Sequence, residues 1–444
     1  MKKKICFFIV LAILIIQQVS AQQLFVTPLS EQDSIAVSKS LKKSSGLIVY
    51  DCNLSTTDDL GYLSVYENTQ VTDIVFPNVD SERFTMAMSE VGKFGIEVWC
   101  SFEIENADSI SQITLDNIPK GVNGIELDFV GGNYIDLIAD GGVDEFREKI
   151  TADLQALKSN IDNIKIAVKV PAIHTIAYDN GLDVYTWISD DLVDLYFISP
   201  YNSQTETNLE LEVWNEIIGE NGMVVGVIGT YMNTPKTKDR ILTLENAAAL
   251  ANAYYSSGAF KFYIDDFKCE TSEEIYVPNT EISVYKSSIA DLLLTKCGDL
   301  ETLAKVNKRF IVANSVMKGN HSLSQNYNPL PLTNNGSGYN SLKINTGKIS
   351  SDSDVKLFVG IKRTDDVEIQ PANIKIFVNK VKPIFAEKIS SELSDCDVLV
   401  YNLNNDYIND GGQIFEISSN VYVNSEKIPI VVDYLEIREM IDSD

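Results

Sequence analysis

Two carboxylates stand two residues apart in a short apolar segment of the chain. Residues 121–130 read GVNGIELDFV, in which Glu126 and Asp128 alternate with apolar residues. Because alternate side chains of a strand point to opposite faces, this pattern predicts a strand with one apolar and one acidic face. A carboxylate inside a protein is costly unless it is paired or used. Glu126 and Asp128 are therefore candidate functional residues.

The same alternation places further acidic, amide and aromatic side chains beside these two. The additional candidates lie in or just after predicted strands: Trp99, Glu103, Tyr201, Asn202, Tyr231, Tyr263 and Asp265. Carboxylates and amides bind hydroxyl groups, and aromatic faces stack on sugar rings, so the set is typical of a carbohydrate cleft. Two carboxylates flanking a glycosidic bond can cleave it. We expect Asp128 to act as nucleophile or base and Glu103 as acid, with the other candidates binding substrate.

Several of these residues have a second interpretation. Glu126 is expected to lie deeper than Asp128 and to form an ion pair with Lys169, which the alternation directs inward from the next strand. Glu105 would replace Glu103 as the acid if a β-bulge shifted the register. His174 is either a residue of the same site or an ordinary loop histidine.

The elements that must position these residues alternate regularly between strand and helix. The strand patterns cover 46–52, 71–77, 96–103, 122–129, 164–171, 193–201, 223–231 and 259–266. Helical patterns cover 81–93, 143–159, 209–219, 244–256 and 281–296. Eight β-then-α units predict an α/β fold, a closed (β/α)8 TIM barrel, in which chemistry belongs at the carboxyl ends of the strands. Asp128 stands at such an end. An open, doubly wound sheet is the structural alternative.

The last third of the chain has a different pattern. A turn-rich stretch at 326–340 precedes short β-type runs at 355–361, 373–379, 397–401, 413–417 and 429–437. These runs predict a C-terminal antiparallel β-sandwich. The predicted organisation is a signal peptide at 1–21, a barrel domain at 22–298 and a sandwich domain at 299–444.

The composition of the chain limits the binding partners and the cellular location that we expect. The formal net charge of −27 argues against nucleic acid and anionic membranes as partners. The chain has two histidines and no paired CxxC motif, so we expect no metal and no cofactor. Three lysines before an apolar run at 5–16 predict a signal peptide, and hence a secreted, periplasmic or extracellular protein. No later stretch predicts membrane insertion, and the oligomeric state stays open.

Four segments resemble the bacterial TIM-barrel proteins described as family 10 glycosyl hydrolase-like. They are 95–99 (GIEVW), 124–130 (GIELDFV), 181–188 (GLDVYTWI) and 432–437 (VDYLEI). The resemblance implies a glycoside-hydrolase-like barrel with an appended β domain. It also implies that Asp128 is the catalytic or ligand-binding residue.

A weaker resemblance is to the barrels of family 18 chitinases and endoglycosidases, which carry DGxDxDxE on their fourth strand. Here Val130 stands at the position of the catalytic Glu, and Asn202 replaces the Asp of a Tyr-Asp pair. This resemblance implies a catalytically inactive, lectin-like barrel that binds glycans. The sequence therefore supports a glycoside hydrolase first, a glycan-binding barrel second and a structural surface protein third.

Overall fold

The computed structural model describes most of the chain beyond residue 45. The described residues are 46–56, 59–130, 142–161, 163–200, 207, 209–229, 231–232, 240–241, 244–267, 293–313, 330–362, 369–390 and 396–441. They belong to one compact unit that begins at Ser45. The predicted signal peptide lies outside them, and the predicted domain boundary after residue 298 stays a prediction.

Eight parallel strands close into a barrel. With strands numbered along the chain, they are β1 (Leu47–Asp51), β2 (Val71–Pro77), β3 (Glu97–Glu103), β4 (Gly124–Asp128), β5 (Lys165–Pro171), β6 (Leu195–Ser199), β7 (Met223–Gly229) and β10 (Lys261–Phe267). Their order around the ring is β1-β10-β7-β6-β5-β4-β3-β2. The parallel pairing of β1 with both β10 and β2 closes the ring. The predicted TIM barrel is confirmed. Two short strands, β8 (Tyr231–Met232) and β9 (Arg240–Ile241), pair with each other after β7.

Helices connect most of the barrel strands. They are α1 (Asn53–Thr56), α2 (Ser81–Gly92), α3 (Val143–Asn160), α4 (His174–Asp179), α5 (Val184–Ser189), α6 (Leu211–Ile218), α7 (Leu244–Ser256) and α8 (Leu300–Leu303), with a 3-10 helix at Leu60–Tyr66. Between β3 and β4 the described residues form turns rather than a helix. Of the predicted closing helix, residues 293–296 are described and helical. None of the described helices is long and apolar enough to span a membrane.

The barrel strands pack on both faces, as the alternation predicts. Ile48, Val75, Ala167 and Phe197 share a cluster inside the ring. The alternate residues of the same strands join a separate, larger cluster beneath the helices. Side chains of parallel barrel strands fill the ring in layers, which leaves polar groups room at its ends.

The last third of the chain forms two antiparallel sheets. Their strands are β11 (Lys308–Ala313), β12 (Leu332–Asn334), β13 (Asn340–Gly347), β14 (Asp354–Lys362), β15 (Ile374–Val378), β16 (Ile384–Ser390), β17 (Cys396–Leu403), β18 (Gly411–Ser419) and β21 (Ile430–Met440). One sheet has the order β11-β21-β14-β17-β16, with β12 beside β21, and the other has the order β13-β18-β15. Apolar residues of both sheets share one core. The predicted β-sandwich is confirmed.

Smaller elements complete this part. The strands β19 (Tyr422–Val423) and β20 (Glu426–Lys427) pair as a hairpin, and 3-10 turns lie at Pro371–Asn373 and Asn405–Tyr407. Four strands of the sandwich were not among the predicted runs, namely β11, β12, β13 and β16.

Candidate active site at the barrel mouth

A buried lysine crosses the inside of the barrel at its carboxyl end. Lys169 on β5 has a 7% exposed side chain, and its Nζ lies 3.0 Å from Asp128 Oδ2 on β4. The same Nζ lies 2.6 Å from Asp265 Oδ2 on β10. Since β5, β6 and β7 separate β4 from β10 in the ring, the lysine joins aspartates on opposite walls. Its ammonium group is a buried positive charge beneath the mouth.

The predicted ion pair between Glu126 and Lys169 is wrong. The register between β4 and β5 sets Asp128 beside Lys169 and Glu126 beside Ala167, so the ammonium group meets the aspartate. Burial lowers the pKa of Lys169, but Asp128, Asp265 and Glu126 outweigh it and hold that pKa well above its ordinary value. Lys169 is therefore a stable cation and not a free amine that could attack a carbonyl group.

Glu126 lies one layer below this ion pair and is completely buried. The Tyr263 hydroxyl donates to its carboxyl oxygens at 3.1 and 3.3 Å. Burial raises the pKa of Glu126 to about 8, although the charge of Lys169 opposes the shift. Burial therefore favours the protonated form of Glu126, whereas the charge of Lys169 favours the carboxylate.

Asp128 ends β4 and faces the mouth with a 15% exposed side chain. Its Oδ1 accepts a hydrogen bond of 2.8 Å from the backbone N–H of Val130, and its Oδ2 accepts one from Lys169. Both oxygens of Asp128 therefore accept a hydrogen bond from the protein. Asp128 is therefore held in one orientation at the mouth.

Glu103 ends β3 directly beside Asp128. The register between β3 and β4 runs without a bulge from Trp99 to Glu103, so Glu103 and not Glu105 pairs with Asp128. The Glu103 side chain is exposed. Partial burial raises the pKa of Glu103, and the negative charges of Asp128 and Glu105 raise it further. The predicted pair of mouth carboxylates is thus brought together with unlike environments.

Tyr50 is a residue of this site that the sequence reasoning missed. It lies on β1, two residues after the inward Ile48, and the Lys169 ammonium group is 5.9 Å from the centre of its ring. Burial and the charges of Glu126 and Asp265 raise the pKa of Tyr50 above its ordinary value, so its hydroxyl stays protonated. Ile48 faces into the ring, so the alternation along β1 could have identified Tyr50 as a second inward residue.

Trp99 and Tyr263, which the sequence predicts to contact substrate, are buried within the protein. Trp99 is 1% exposed, and its Nε1 donates to Asp73 Oδ1 at 3.1 Å. Asp73 also pairs with Lys261, the first residue of β10, so this cluster lies at the amino-terminal end of the barrel. Tyr263 has no exposed surface. Neither ring is open to a ligand at the mouth. Each instead donates a hydrogen bond to a buried carboxyl group.

The remaining predicted residues divide between described and undescribed parts of the chain. Asp265 lies at the mouth with an 18% exposed side chain and pairs with Lys169. Tyr201 and Asn202 lie outside the described residues, and the side chain of Tyr231 does too, although its backbone belongs to β8. His174 begins α4, just after β5, with an imidazole that is half-buried.

The acidic residues of the mouth do not form a metal centre. Within the described ranges, no group of three or more His, Cys, Asp or Glu side chains could hold a metal ion. The Lys169 ammonium group occupies the space between Asp128 and Asp265 that a cation would need. The arrangement instead offers a carboxyl group held by Lys169 and, beside it, an exposed carboxyl group whose pKa is raised.

Comparisons with known proteins give only distant similarities. No known family profile matches the chain, and no curated protein matches it. Its solved structural neighbours include a chitinase from Chromobacterium violaceum, with 11% identity and a TM-score of 0.36, covering 50% of this chain and 93% of that one. They also include a glycoside hydrolase family 5 protein from Bacteroides vulgatus, with 11% identity and a TM-score of 0.37, covering 86% and 90%. An aldolase, QR15, matches at 11% identity and a TM-score of 0.35, covering 50% and 90%. Similarities at these identities and TM-scores do not indicate an activity.

Proposed function

We propose that this protein is a secreted glycoside hydrolase that cleaves a polysaccharide or glycan at the barrel mouth. The observation that carries the proposal is the pairing of Glu103 with Asp128 on adjacent strand ends. Asp128 is the ion-pair partner of Lys169, whereas burial and neighbouring negative charge raise the pKa of Glu103. Two carboxyl groups whose environments differ in this way are suited to divide acid and nucleophile roles.

The reaction follows from these roles. The Glu103 carboxyl group donates its proton to the oxygen of the leaving sugar as the glycosidic C–O bond breaks. The Asp128 carboxylate attacks the anomeric carbon and forms a glycosyl ester. Water then releases the sugar, and Glu103 accepts the proton of that water. Because adjacent strands lie about 4.8 Å apart, the pair is close enough for the retaining geometry of about 5–5.5 Å.

The charge of the chain favours one class of glycan. A net charge of −27 repels acidic polymers, so a neutral or basic polysaccharide is the expected substrate. The predicted signal peptide fits a polymer that the protein meets outside the cytoplasm. No cofactor is required for this chemistry, since both steps use carboxyl groups and water alone.

A second function has a specific observation in its favour. Both oxygens of Asp128 already accept hydrogen bonds from the protein, one from Val130 and one from Lys169. A carboxylate fixed in this way could bind sugar hydroxyls without attacking the ring. The barrel would then bind glycans and not cleave them.

Sugar release separates the two functions. Wild type, Asp128→Asn, Glu103→Gln and the control Glu105→Gln would be incubated with chitin, cellulose, xylan, mannan and starch, and products detected by mass spectrometry. We expect release by wild type and Glu105→Gln. Release should fall by about 10²–10⁴-fold in Glu103→Gln, the usual contribution of a general acid, and disappear in Asp128→Asn. Binding of a polymer without release by any protein would support the glycan-binding function instead.

A further inference from the structure

Two tyrosines form an exposed aromatic pair that the proposed reaction does not use. Tyr178 on α4 is 37% exposed and Tyr185 on α5 is 39% exposed. Their ring centroids lie 5.6 Å apart, with an angle of 57° between the ring planes. Two exposed aromatic rings in contact form a small apolar surface, which is a candidate for ligand contact.

The pair lies at the same end of the barrel as Asp128. In a TIM barrel, each helix begins on the side where the preceding strand ends. Arg147, in the first turns of α3, follows β4, and its guanidinium group lies 4.2 Å from the centre of the Tyr178 ring. The same group donates to the Tyr178 carbonyl oxygen at 2.8 Å. The tyrosines therefore stand between the fourth and fifth units, which carry Asp128 and Lys169.

His174 adds unused hydrogen-bonding capacity beside these rings. It is the first residue of α4, and its ring lies nearly perpendicular to the rings of Tyr185 and Trp214, with centroids 6.1 Å away in each case. Its buried Nδ1 has no hydrogen-bond partner among the residues that the structure describes. A buried polar atom without a partner carries a free-energy cost, which a bound hydroxyl group or a shift of the ring toward a ligand would relieve.

We propose that Tyr178, Tyr185 and His174 form an outer carbohydrate-binding subsite at the rim of the mouth. This outer subsite rests on the proposed function, because it takes a distal sugar ring of the glycan held at Asp128. The Tyr185 ring and the side of the Tyr178 ring away from Arg147 stack on the apolar face of that sugar ring. A shift of the imidazole toward the ligand lets its Nδ1 form a hydrogen bond with a hydroxyl group. Two half-buried rings offer far less surface than the roughly 800 Å² per partner of a stable protein interface, but enough for a sugar.

Arg147 orders the Tyr178 ring of the outer subsite before a ligand binds. Its stacking on Tyr178 and its bond to the backbone there limit the motion of the exposed ring. A ring that is already ordered loses little conformational entropy on binding. Because only a long oligosaccharide can reach from Asp128 to the outer subsite, the protein should bind long oligosaccharides more tightly than short ones.

Chain-length dependence tests the outer subsite. The Glu103→Gln protein, which keeps Asp128 and is expected to release sugar about 10²–10⁴-fold less than wild type, serves as the parent, and Tyr178→Ala/Tyr185→Ala is built in it. Calorimetry measures binding of two-unit and six-unit oligosaccharides from chitin, cellulose, xylan and mannan. We expect about ten-fold weaker binding of the six-unit ligand by the double variant, and unchanged binding of the two-unit ligand. The control is Tyr339→Ala/Tyr407→Ala, which removes two exposed tyrosines of the C-terminal region, one just before β13 and one in the 3-10 turn at Asn405–Tyr407, and should change neither.

The outcomes distinguish the subsite from the function on which it rests. Unchanged six-unit binding by a double variant that melts at the parent temperature would overturn the outer subsite alone. Equal losses for both ligand lengths would also overturn it, since a distal site cannot contact a two-unit ligand held at Asp128. Failure of the parent to bind any of these sugars would overturn the proposed function together with the subsite.

Discussion

At the scale of single residues, one lysine organises the mouth. Lys169 holds Asp128 and Asp265, which come from strands on opposite sides of the ring. Without it, two aspartates with limited exposure would face each other across a small space. Breaking a buried ion pair by removing one partner is far more costly than exchanging the whole pair for apolar groups, because a charge is left unpaired.

Replacement of this lysine should therefore destabilise the protein strongly. We expect Lys169→Met to lower the free energy of unfolding by about 3 kcal/mol, measured by urea denaturation. The control is Lys165→Met on the same strand, whose side chain is 47% exposed and pairs with Glu97 at 3.3 Å. It should cost less than about 1 kcal/mol, as surface ion pairs do. Equal losses in the two variants would contradict the role given to Lys169.

At the scale of elements, α7 joins the barrel to the antiparallel sheets. The Asn252 side chain donates to the carbonyl oxygens of Thr346 and Lys348 at 2.8 and 3.0 Å. Gly347 lies between them with a φ of 63°, in the left-handed region that glycine adopts without strain. A Cβ atom there would lie 2.6 Å from the Asn252 carbonyl oxygen. The close approach of α7 to the end of β13 thus depends on the missing side chain.

A methyl group at this contact should push the two elements apart. We expect Gly347→Ala to destabilise the protein by about 1–3 kcal/mol, the usual range for overpacking, and to lower the melting temperature in calorimetry. Gly92→Ala is the matched control, because no atom lies within 4 Å of a Cβ added at Gly92, the last residue of α2. That variant should be neutral or slightly more stable. If the Gly347→Ala and Gly92→Ala proteins were equally stable, the close approach of α7 to β13 would not depend on glycine at position 347.

At the scale of the whole molecule, two buried glutamates give the barrel and the sheets opposite responses to pH. Burial raises the pKa of Glu126 in the barrel to about 8. In β21, burial also acts to raise the pKa of Glu436, but Arg309 and Arg438 outweigh it and lower that pKa to about 2. Both groups have an ordinary pKa of 4.5. A raised pKa means that the folded state binds the proton more tightly, and a lowered pKa means the reverse.

The two glutamates should therefore be distinguishable by stability measured across pH. The contribution of Glu126 is complete below pH 4.5 and is lost as the pH rises through about 8. That of Glu436 is complete well above pH 4.5 and is lost as the pH falls toward about 2. Relative to wild type, Glu126→Gln should gain stability from pH 5 to 8, and Glu436→Gln should gain it from pH 5 to 3. Parallel curves for the two variants in thermal melts would contradict these assignments.

Much of the fold could be predicted because its signals are local. The barrel strands are buried on both faces and read as apolar runs separated by helical periodicity, so each can be recognised without its neighbours. The missed strands lack such signals. β16 is an edge strand whose Ile384 and Phe385 are 71% and 42% exposed, and a bulge follows Phe385. A segment of this kind becomes a strand through its partner, β17, and not through its own pattern.

The sequence by itself determined which side chains face into the barrel, because alternation along a strand is a property of the backbone. It thereby identified Asp128, Glu103 and Asp265 as residues of one mouth. Only the tertiary structure decided which of them meet. The register of β4 against β5 assigned Lys169 to Asp128, and closure of the ring brought Asp265 to the same ammonium group. Register and closure depend on pairing between distant segments, and no local pattern of residues records that pairing.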